Sequence, residues 1–400
     1  MPSTLLTVAQ ARARILAAVE PLGSECVAID DALDRVLAAD LPAAGDVPPF
    51  ASAAMDGYAV HAGPAGRTLR VIGESQAGVP ASLAIEADEA IRTSTGAAVP
   101  EGADAIVRQE QVETDGDEVT LRAGVAVSDD IRLRGEDLAA GSVVLPAGTR
   151  LGAAELAAAV AAGACEVVCA RRPRVVILCT GTELRAPGEP LGPGEIHNAN
   201  AVTLRALATR VGARARPADR LADDREMIEA ALSKALARAD VIVVSGGVSV
   251  GPHDHVKPAL DALGVRQTFW GVAIQPGKPT WFGSRDGCLV YGLPGNPVAA
   301  FVVFTLFVAP ALLALQGANP GAGEREEAEL AVPVTRHPAR EQAITVRLER
   351  ADGRRIAVPN GPQGSNLISS LLGADALVMI PTGTGELEAG SRAALIRLPR

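Results

Sequence analysis

Residues 245–255 read SGGVSVGPHDH and directly follow the apolar run Val241-Ile242-Val243-Val244. Glycine loses the most backbone freedom on folding, so a buried strand that ends in Gly246, Gly247 and Gly251 is costly to order. Such a turn can present several backbone N–H groups, the Ser245 and Ser249 hydroxyls and a helix N-terminus to one anion, which is what phosphate requires. The same composition also serves an ordinary tight turn, and neither G-x-x-x-x-G-K-[ST] nor G-x-G-x-x-G after a first strand is present. Asp254, three residues past Gly251, adds information. A carboxylate beside a phosphate nest is repulsive unless a cation bridges the two, and Mg2+, which takes carboxylate, phosphate and water oxygens, is the natural bridge.

The cations are distributed in keeping with that chemistry. Of 37 basic residues only Lys234, Lys257 and Lys278 are lysines, and two of them lie in HDHVK and QPGKP at predicted strand ends. A compact ammonium suits a tetrahedral oxyanion. His253 and His255 have no third ligand at helical spacing, which favours solvated or capping histidines over a metal site. Acidic residues stand in loops: Asp56 in MDGYA, Glu136 and Asp137 in RGED, Glu183 in TGTEL, Asp223 and Asp224 in LADD. Taken singly, each is a turn, cap or solvated carboxylate. LPGNP, 293–297, reads as a strand-to-helix turn with Pro294 in it, Asn296 capping and Pro297 at the first helical position.

The elements that must hold these residues follow from texture. A chain of 400 residues that is 48% apolar has material for two to four domains. Aromatics at 2% and a net charge of −10 argue against nucleic-acid binding, which uses stacking platforms and a basic excess, so the expected ligand is small. Five scattered cysteines with no C-x-x-C pair read as small buried hydrophobes rather than disulfides or zinc ligands. The first twenty residues lack a basic stretch followed by an apolar one, which predicts a cytoplasmic location. VAAFVVFTLFVAPALLAL, 298–315, is apolar enough to span a membrane, but Pro310 and the absence of flanking Lys or Arg favour a buried helix.

Residues 7–20 and 30–40 carry helical spacing, the second with Asp30 or Asp31 as N-cap. Short β-like runs (RTLRVIG, EAIRTST, DAIVRQE, DEVTLRA) fill 44–137, and 152–163 is helical again, ending at Gly163, so the β-rich module is expected to be inserted between helical pieces that pack together. From 175 to 316 strands alternate with helices, one of them capped by Asp223 or Asp224, which predicts a parallel sheet with covered faces and a ligand beyond its carboxyl ends. After a linker-like stretch, 318–329, the run ITVRLER-ADG-RRIAV predicts a hairpin turning at Asp352-Gly353 within a third, all-β unit.

Collectively AAMDGYAV, TSTGAAVPEGADAIVRQE, IRLRGEDLAAGSVVLPAGTRL, LCTGTEL, GEIHNAN, SGGVSVGPHDHVK, QPGKP, LPGNPVAA and QGSNLISS resemble the molybdopterin molybdenumtransferase family, the MoeA-like proteins that include the gephyrin E domain. The resemblance implies a multidomain fold: a helical linker and dimerisation region (1–43 and 138–174), an inserted β-rich module (44–137), a central doubly wound, mostly parallel α/β molybdopterin-binding domain (175–322) and a C-terminal β-barrel (323–400). It implies the last step of molybdenum cofactor assembly, in which adenylylated molybdopterin loses AMP with Mg2+ and receives molybdate. The family's catalytic positions match Asp56, Thr95, Glu136, Asp137, Glu183, Asp223 and Asp254, with Glu183 and Asp254 toward the metal. Its binding positions match Ser245, Gly246, Gly247, Ser249, Gly251, Lys257, Lys278, Pro294 and Asn296, with Arg347 and Ser365 toward molybdate. Gln275, Ala299 and Thr182 depart from the family's more usual lysine, serine and aspartate. A homodimer with the site between subunits is implied, together with contacts to molybdopterin adenylyltransferase and recipient molybdoenzymes, and no nucleic acid or membrane. The alternatives are a molybdopterin adenylyltransferase, which shares an SGGVSVG-like loop, and a non-catalytic scaffold or cofactor carrier. MDGYA and RGED argue against the adenylyltransferase, the intact loop carboxylates against the scaffold.

Overall fold

The computed structural model describes residues 5–216, 219–248, 255–318 and 326–398. Ser249, Gly251, His253 and Asp254 lie outside the described residues. The chain separates into two compact units, one of residues 1–25, 34–38 and 169–400, the other of residues 26–33 and 39–168. The segments expected to form one helical region, 1–43 and 138–174, are thus shared between both units.

In the first unit, α1 (Val8–Leu16) starts at a capping box in which Thr7 accepts from the Gln10 N–H and Gln10 reaches back to the Thr7 N–H. The α/β layer then runs β1 (Arg174–Thr180), α2 (Ala199–Arg210), β2 (Arg214–Ala215), β3 (Asp219–Leu221), α3 (Arg225–Leu236), β4 (Val241–Ser245), α4 (Val256–Ala262), β5 (Arg266–Trp270), β6 (Trp281–Arg285), β7 (Cys288–Leu293) and α5 (Pro297–Leu315). The sheet order is β2–β1–β4–β7–β6–β5, with β3 also on β1. Strands β2, β3, β1, β4 and β7 are mutually parallel, while β6 and β5 run antiparallel at one edge, so the sheet is mixed. The sequence reading missed β6, WFGSR, because Gly283 interrupts its pattern; that glycine lets the Arg266 carbonyl approach to 2.6 Å of where a Cβ would stand.

The continuous apolar runs are explained by burial on both faces. Val175, Ile177 and Cys179 of β1, Val241 and Val243 of β4, and Leu289 and Tyr291 of β7 pack with α1, α2 and α5. Their neighbours Val176, Leu178, Ile242, Val244 and Val290 pack with α3 and α4. Each such fully buried Val, Ile or Leu contributes about 1.5–3 kcal/mol. α5 is the expected buried helix: 72% of its most apolar window is inside the protein. It relaxes into a π-turn at Phe304–Val308 just before Pro310, which lacks an N–H and would press its ring on the carbonyl of Leu306.

A five-stranded closed barrel completes this unit: β8 (Glu327–Leu330), β9 (Glu341–Ala351), β10 (Arg354–Pro359), β11 (Ala376–Ile380) and β12 (Arg392–Arg397) pair in the cycle β9–β10–β8–β12–β11–β9. The β9–β10 hairpin turns at Asp352-Gly353, both at positive φ (50° and 75°), as the sequence requires.

The second unit is built on a six-stranded sheet in the order 105–108, 57–60, 89–93, 68–75, 118–121, 112–115. All four β-like runs of the sequence are strands in it. The helix Ala153–Ala161 ends ahead of Gly163 at φ 93°, and packs on the strand Val143–Leu145, whereas α1 packs in the α/β core; each helix serves its own unit. The helix expected over 30–40 is absent. Only a 3-10 turn, Ile29–Asp31, forms there, and Asp34 at φ 62° leaves the right-handed helical region. The cysteine reading is half right: Cys169, Cys179 and Cys288 are buried, but Cys26 and Cys165 are exposed.

Candidate active site

The carboxyl ends of β1, β4 and β7 lie level, with Cys179 opposite Ser245 and Ser245 opposite Leu293. From β1 the chain leaves toward β2 and β3 on one side, and β4 then returns on the other, so a crevice opens between them at the switch point. A cavity of about 570 Å³ occupies it, a size that suits a small molecule, given the usual range of about 300–1,000 Å³.

Its floor is the Gly246–Gly247 turn. Both glycines have left-handed φ, 92° and 64°. A Cβ on Gly246 would stand 2.6 Å from the Thr180 carbonyl oxygen, and one on Gly247 would stand 2.7 Å from Val256 Cγ2 and 2.9 Å from Thr180 Oγ1. The loop therefore has to be glycine to lie against Thr180. The Thr180 hydroxyl is buried and has no hydrogen-bond partner among the described residues, an unmet polar group at the cavity wall.

Amide side chains hold the walls together. Asn200 Nδ2 donates to Ser245 Oγ (2.8 Å) and to the Gly295 carbonyl (2.8 Å), joining the loops after β4 and β7. Asn198 caps α2 by accepting from the Ala201 N–H at 3.1 Å. Asn296 sits at the N-cap position of α5 with Pro297 after it, as expected, yet its side chain does not cap; its Nδ2 donates to Ser365 Oγ at 2.9 Å. Ser365 also accepts the Val298 N–H on its carbonyl at 3.0 Å, which ties the loop ahead of β11 to the cavity rim.

Glu183 stands exposed on the cavity wall, its carboxylate without a hydrogen-bond or ion-pair partner among the described residues. The segment carrying it is braced by the parallel pairing of Leu184–Arg185 with Ile196–His197 and by an Arg185–Glu195 ion pair. The Gly192 N–H, and then Arg185, hold the Glu195 carboxyl below its ordinary range. Asp223 accepts from the Thr182 N–H (3.3 Å) and hydroxyl (3.1 Å). The Thr182 departure thus supplies a donor where an aspartate would have placed a second carboxylate. Asp224, not Asp223, caps α3, accepting from the Met227 N–H at 2.9 Å. Burial pushes the Cys179 thiol up to about 11, so it lines the cavity as a neutral group rather than a nucleophile.

Of the residues singled out in the sequence, the cavity gathers Glu183, Ser245, Gly246, Gly247, Pro294 and Asn296, with Ser365 bonded to Asn296. Lys257 does not line the cavity; its ammonium lies 4.8 Å from the centre of the Trp270 ring. Lys278 is exposed next to Pro279, which does line the cavity, and Arg347 is an exposed residue of β9. In the second unit Asp56 accepts from the Thr95 N–H (2.6 Å) and hydroxyl (2.9 Å), and these bonds hold its carboxyl below its ordinary range. Glu136 accepts from the Leu133 N–H at 2.8 Å, and Asp137 is exposed. Among the described residues no cluster of three or more His, Cys, Asp and Glu is placed to share a metal ion. The sequence reading passed over Thr180, hidden at the end of an apolar run, and Asn198 and Asn200, whose motif GEIHNAN had been quoted without selecting its amides.

The chain matches three sequence families in succession: MoeA N-terminal region (domain I and II) over residues 6–163, a probable molybdopterin binding domain over 176–314, and MoeA C-terminal region (domain IV) over 327–398. It is 34% identical to the molybdopterin molybdenumtransferase of Haemophilus influenzae, over 96% of this chain and 97% of that protein. The chain belongs to the molybdopterin molybdenumtransferase family. The family member of Bacillus subtilis is 33% identical, over 92% of this chain and 88% of that protein. The molybdopterin biosynthesis MoeA protein of Pyrococcus horikoshii has a similar structure, with a TM-score of 0.85, 30% identity, and coverage of 99% of this chain and 100% of that one. The cavity lies within the stretch that matches the probable molybdopterin binding domain, apart from Asn366, which lies in the stretch that matches domain IV.

Proposed function

We propose that this protein carries out the family reaction: it binds adenylylated molybdopterin, releases AMP, and passes molybdate to the dithiolene. The observation that carries this reading is the cavity at the switch point of the sheet, whose floor of two glycines that exclude a Cβ lets a phosphate approach the backbone closely. The cavity volume of about 570 Å³ accommodates a pterin with part of its pyrophosphate arm. The soft sulfur ligands for molybdenum come with the substrate, so the protein needs only hard donors for oxyanions.

On this reading water attacks the phosphoanhydride phosphorus, the bridging P–O bond breaks, AMP leaves, and the proton of the attacking water passes to solvent. The Gly246–Gly247 turn shapes the phosphate seat, with the Gly246 N–H given to the Leu293 carbonyl and the Ser245 hydroxyl to the Pro294 carbonyl; Asn200 keeps their loop in register, and Asn296 with Ser365 orients the pterin end. A divalent cation fits Glu183, the described cleft carboxylate with no competing partner; Asp254 is its proposed second ligand. When bound, Mg2+ would supply charge screening at the phosphate oxygens. Asp56, Thr95, Glu136, Asp137 and Asp223 serve the same reaction, Lys257, Lys278 and Arg347 the oxyanions, in a cytoplasmic homodimer. The four-part division of the chain, with a doubly wound α/β domain at 175–322, belongs to the same proposal.

The test supplies purified protein with adenylylated molybdopterin, Mg2+ and molybdate and follows AMP. Release of AMP that Glu183→Gln abolishes supports the reading; release unchanged in that variant, or none from the wild type, sinks it. Mixing Asp56→Asn with Glu183→Gln protein tests the dimer: recovered activity is expected if the two residues act from different protomers.

A further inference from the structure

At the amino end of the same sheet, remote along β1 from the candidate active site, a cavity of about 490 Å³ opens beside the short edge strand β2. Its floor is apolar, made by Val175, Ala213 and Ala215. Its rim is four arginines: Arg174, Arg214, Arg216 and Arg238. Arg174 is neutralised, since Asp240 accepts from its Nε (3.1 Å) and Nη2 (2.9 Å) and also from Arg171. Arg214, Arg216 and Arg238 have no carboxylate within ion-pair distance among the described residues, and Arg238 Nε is buried with no acceptor among them.

This is an uncompensated cationic patch in a chain whose net charge is −10. Nearby Arg172 registers the crowding: burial first, then repulsion from Arg35 and Arg214, push its guanidinium below its ordinary range. Guanidinium groups bind phosphate through paired N–H donors, and crowding them is unfavourable unless an anion sits between them. A carboxylate-rich peptide would satisfy the charges but would not use the apolar floor.

We propose that this cavity is a second binding site, for a phosphate monoester with an apolar body: the phosphate bridges Arg214, Arg216 and Arg238, and the body covers Val175, Ala213 and Ala215. The site is independent of the proposed reaction, which its loss should leave unchanged.

The probes are phenyl phosphate and inorganic phosphate, titrated calorimetrically into the full-length protein at low salt. Phenyl phosphate is expected to bind saturably and about tenfold or more tighter than inorganic phosphate, because only the ester covers the floor. Arg214→Gln/Arg216→Gln is expected to weaken it about tenfold or more, with melting temperature and AMP release unchanged, whereas Glu183→Gln should leave it intact. Arg238→Gln should weaken it as well; if that variant fails to fold, the exposed Arg214/Arg216 pair still decides. No saturable binding up to about 10 mM, equal affinity for the two probes, or binding that the folded double variant retains would overturn the proposal. Weakening by Glu183→Gln instead would place the probe in the active-site cleft and overturn it equally.

Discussion

The two ends of strand β1 are built on opposite principles. At its carboxyl end Thr180, Asn200, Ser245 and Asn296 are neutral groups arranged round open space, and one of them, the Thr180 hydroxyl, has no partner among the described residues. At its amino end Asp240, 8% exposed, is saturated by Arg171, the Arg174 side chain and the Arg174 N–H. Burial alone would raise the Asp240 carboxyl, but the arginine hydrogen bonds more than reverse that and bring it down to about 2. The difference lies in how each end treats a carboxylate: Asp240 is closed on its two arginines, whereas Glu183 faces open space with no partner among the described residues.

If that contrast holds, losing the Glu183 carboxylate should change turnover and losing the Asp240 carboxylate should change stability. The largest expected effect is a fall of about 100-fold or more in AMP release for Glu183→Gln, with no shift in melting temperature; a matching loss of stability would erase the contrast. Next, Asp240→Ala strands two arginines and the Arg174 N–H, and denaturant unfolding should show a loss of about 3 kcal/mol. Acid titration sharpens the same point. Because the folded pKa of Asp240 lies below its unfolded value, its contribution is fully present above about pH 4 and is lost as pH falls toward 2; it amounts to about 2 kcal/mol, and Asp240→Asn should flatten the curve across that window. Asn200→Ala releases the clamp between the β4 and β7 loops and should cost about 1 kcal/mol in stability, with a larger relative rise in KM for the adenylylated substrate. The smallest effect is local to the second unit: Thr95→Val should raise the Asp56 pKa toward its ordinary range, readable by NMR titration, because only the hydroxyl bond is removed and the backbone one stays.

Particular residues mark how far the sequence could be read. Asp352-Gly353 announced its hairpin because few residue pairs tolerate left-handed φ at both turn positions. VVILC and VIVV announced strands covered on both faces because no polar residue interrupts them. Ser245, Gly246 and Gly247 stood out because serine and glycine are concentrated in one turn at a strand end, whereas Glu183 and Asn296, read singly as a solvated carboxylate and a cap, became site candidates only through the family resemblance. Strand β6 and the missing helix at 30–40 were not, since Gly283 is set by the close approach of the Arg266 carbonyl on the neighbouring strand, and nothing in the local pattern marks Asp34 for left-handed φ.

Local chemistry along the chain was enough to mark the strands of the apolar runs, the Asp352-Gly353 turn and the loops that carry donors and carboxylates. Only the assembled sheet decided that Thr180 would be buried beneath two glycines, that Asn200 would bridge two loops while Asn296 gave up its cap for Ser365, and that Asp223 would be taken by Thr182. The physical reason is range. Caps and turns are satisfied within a few residues of the backbone, whereas hydrogen bonds between loops 40 or more residues apart, such as Thr182 to Asp223, exist only after the parallel strands have set their register.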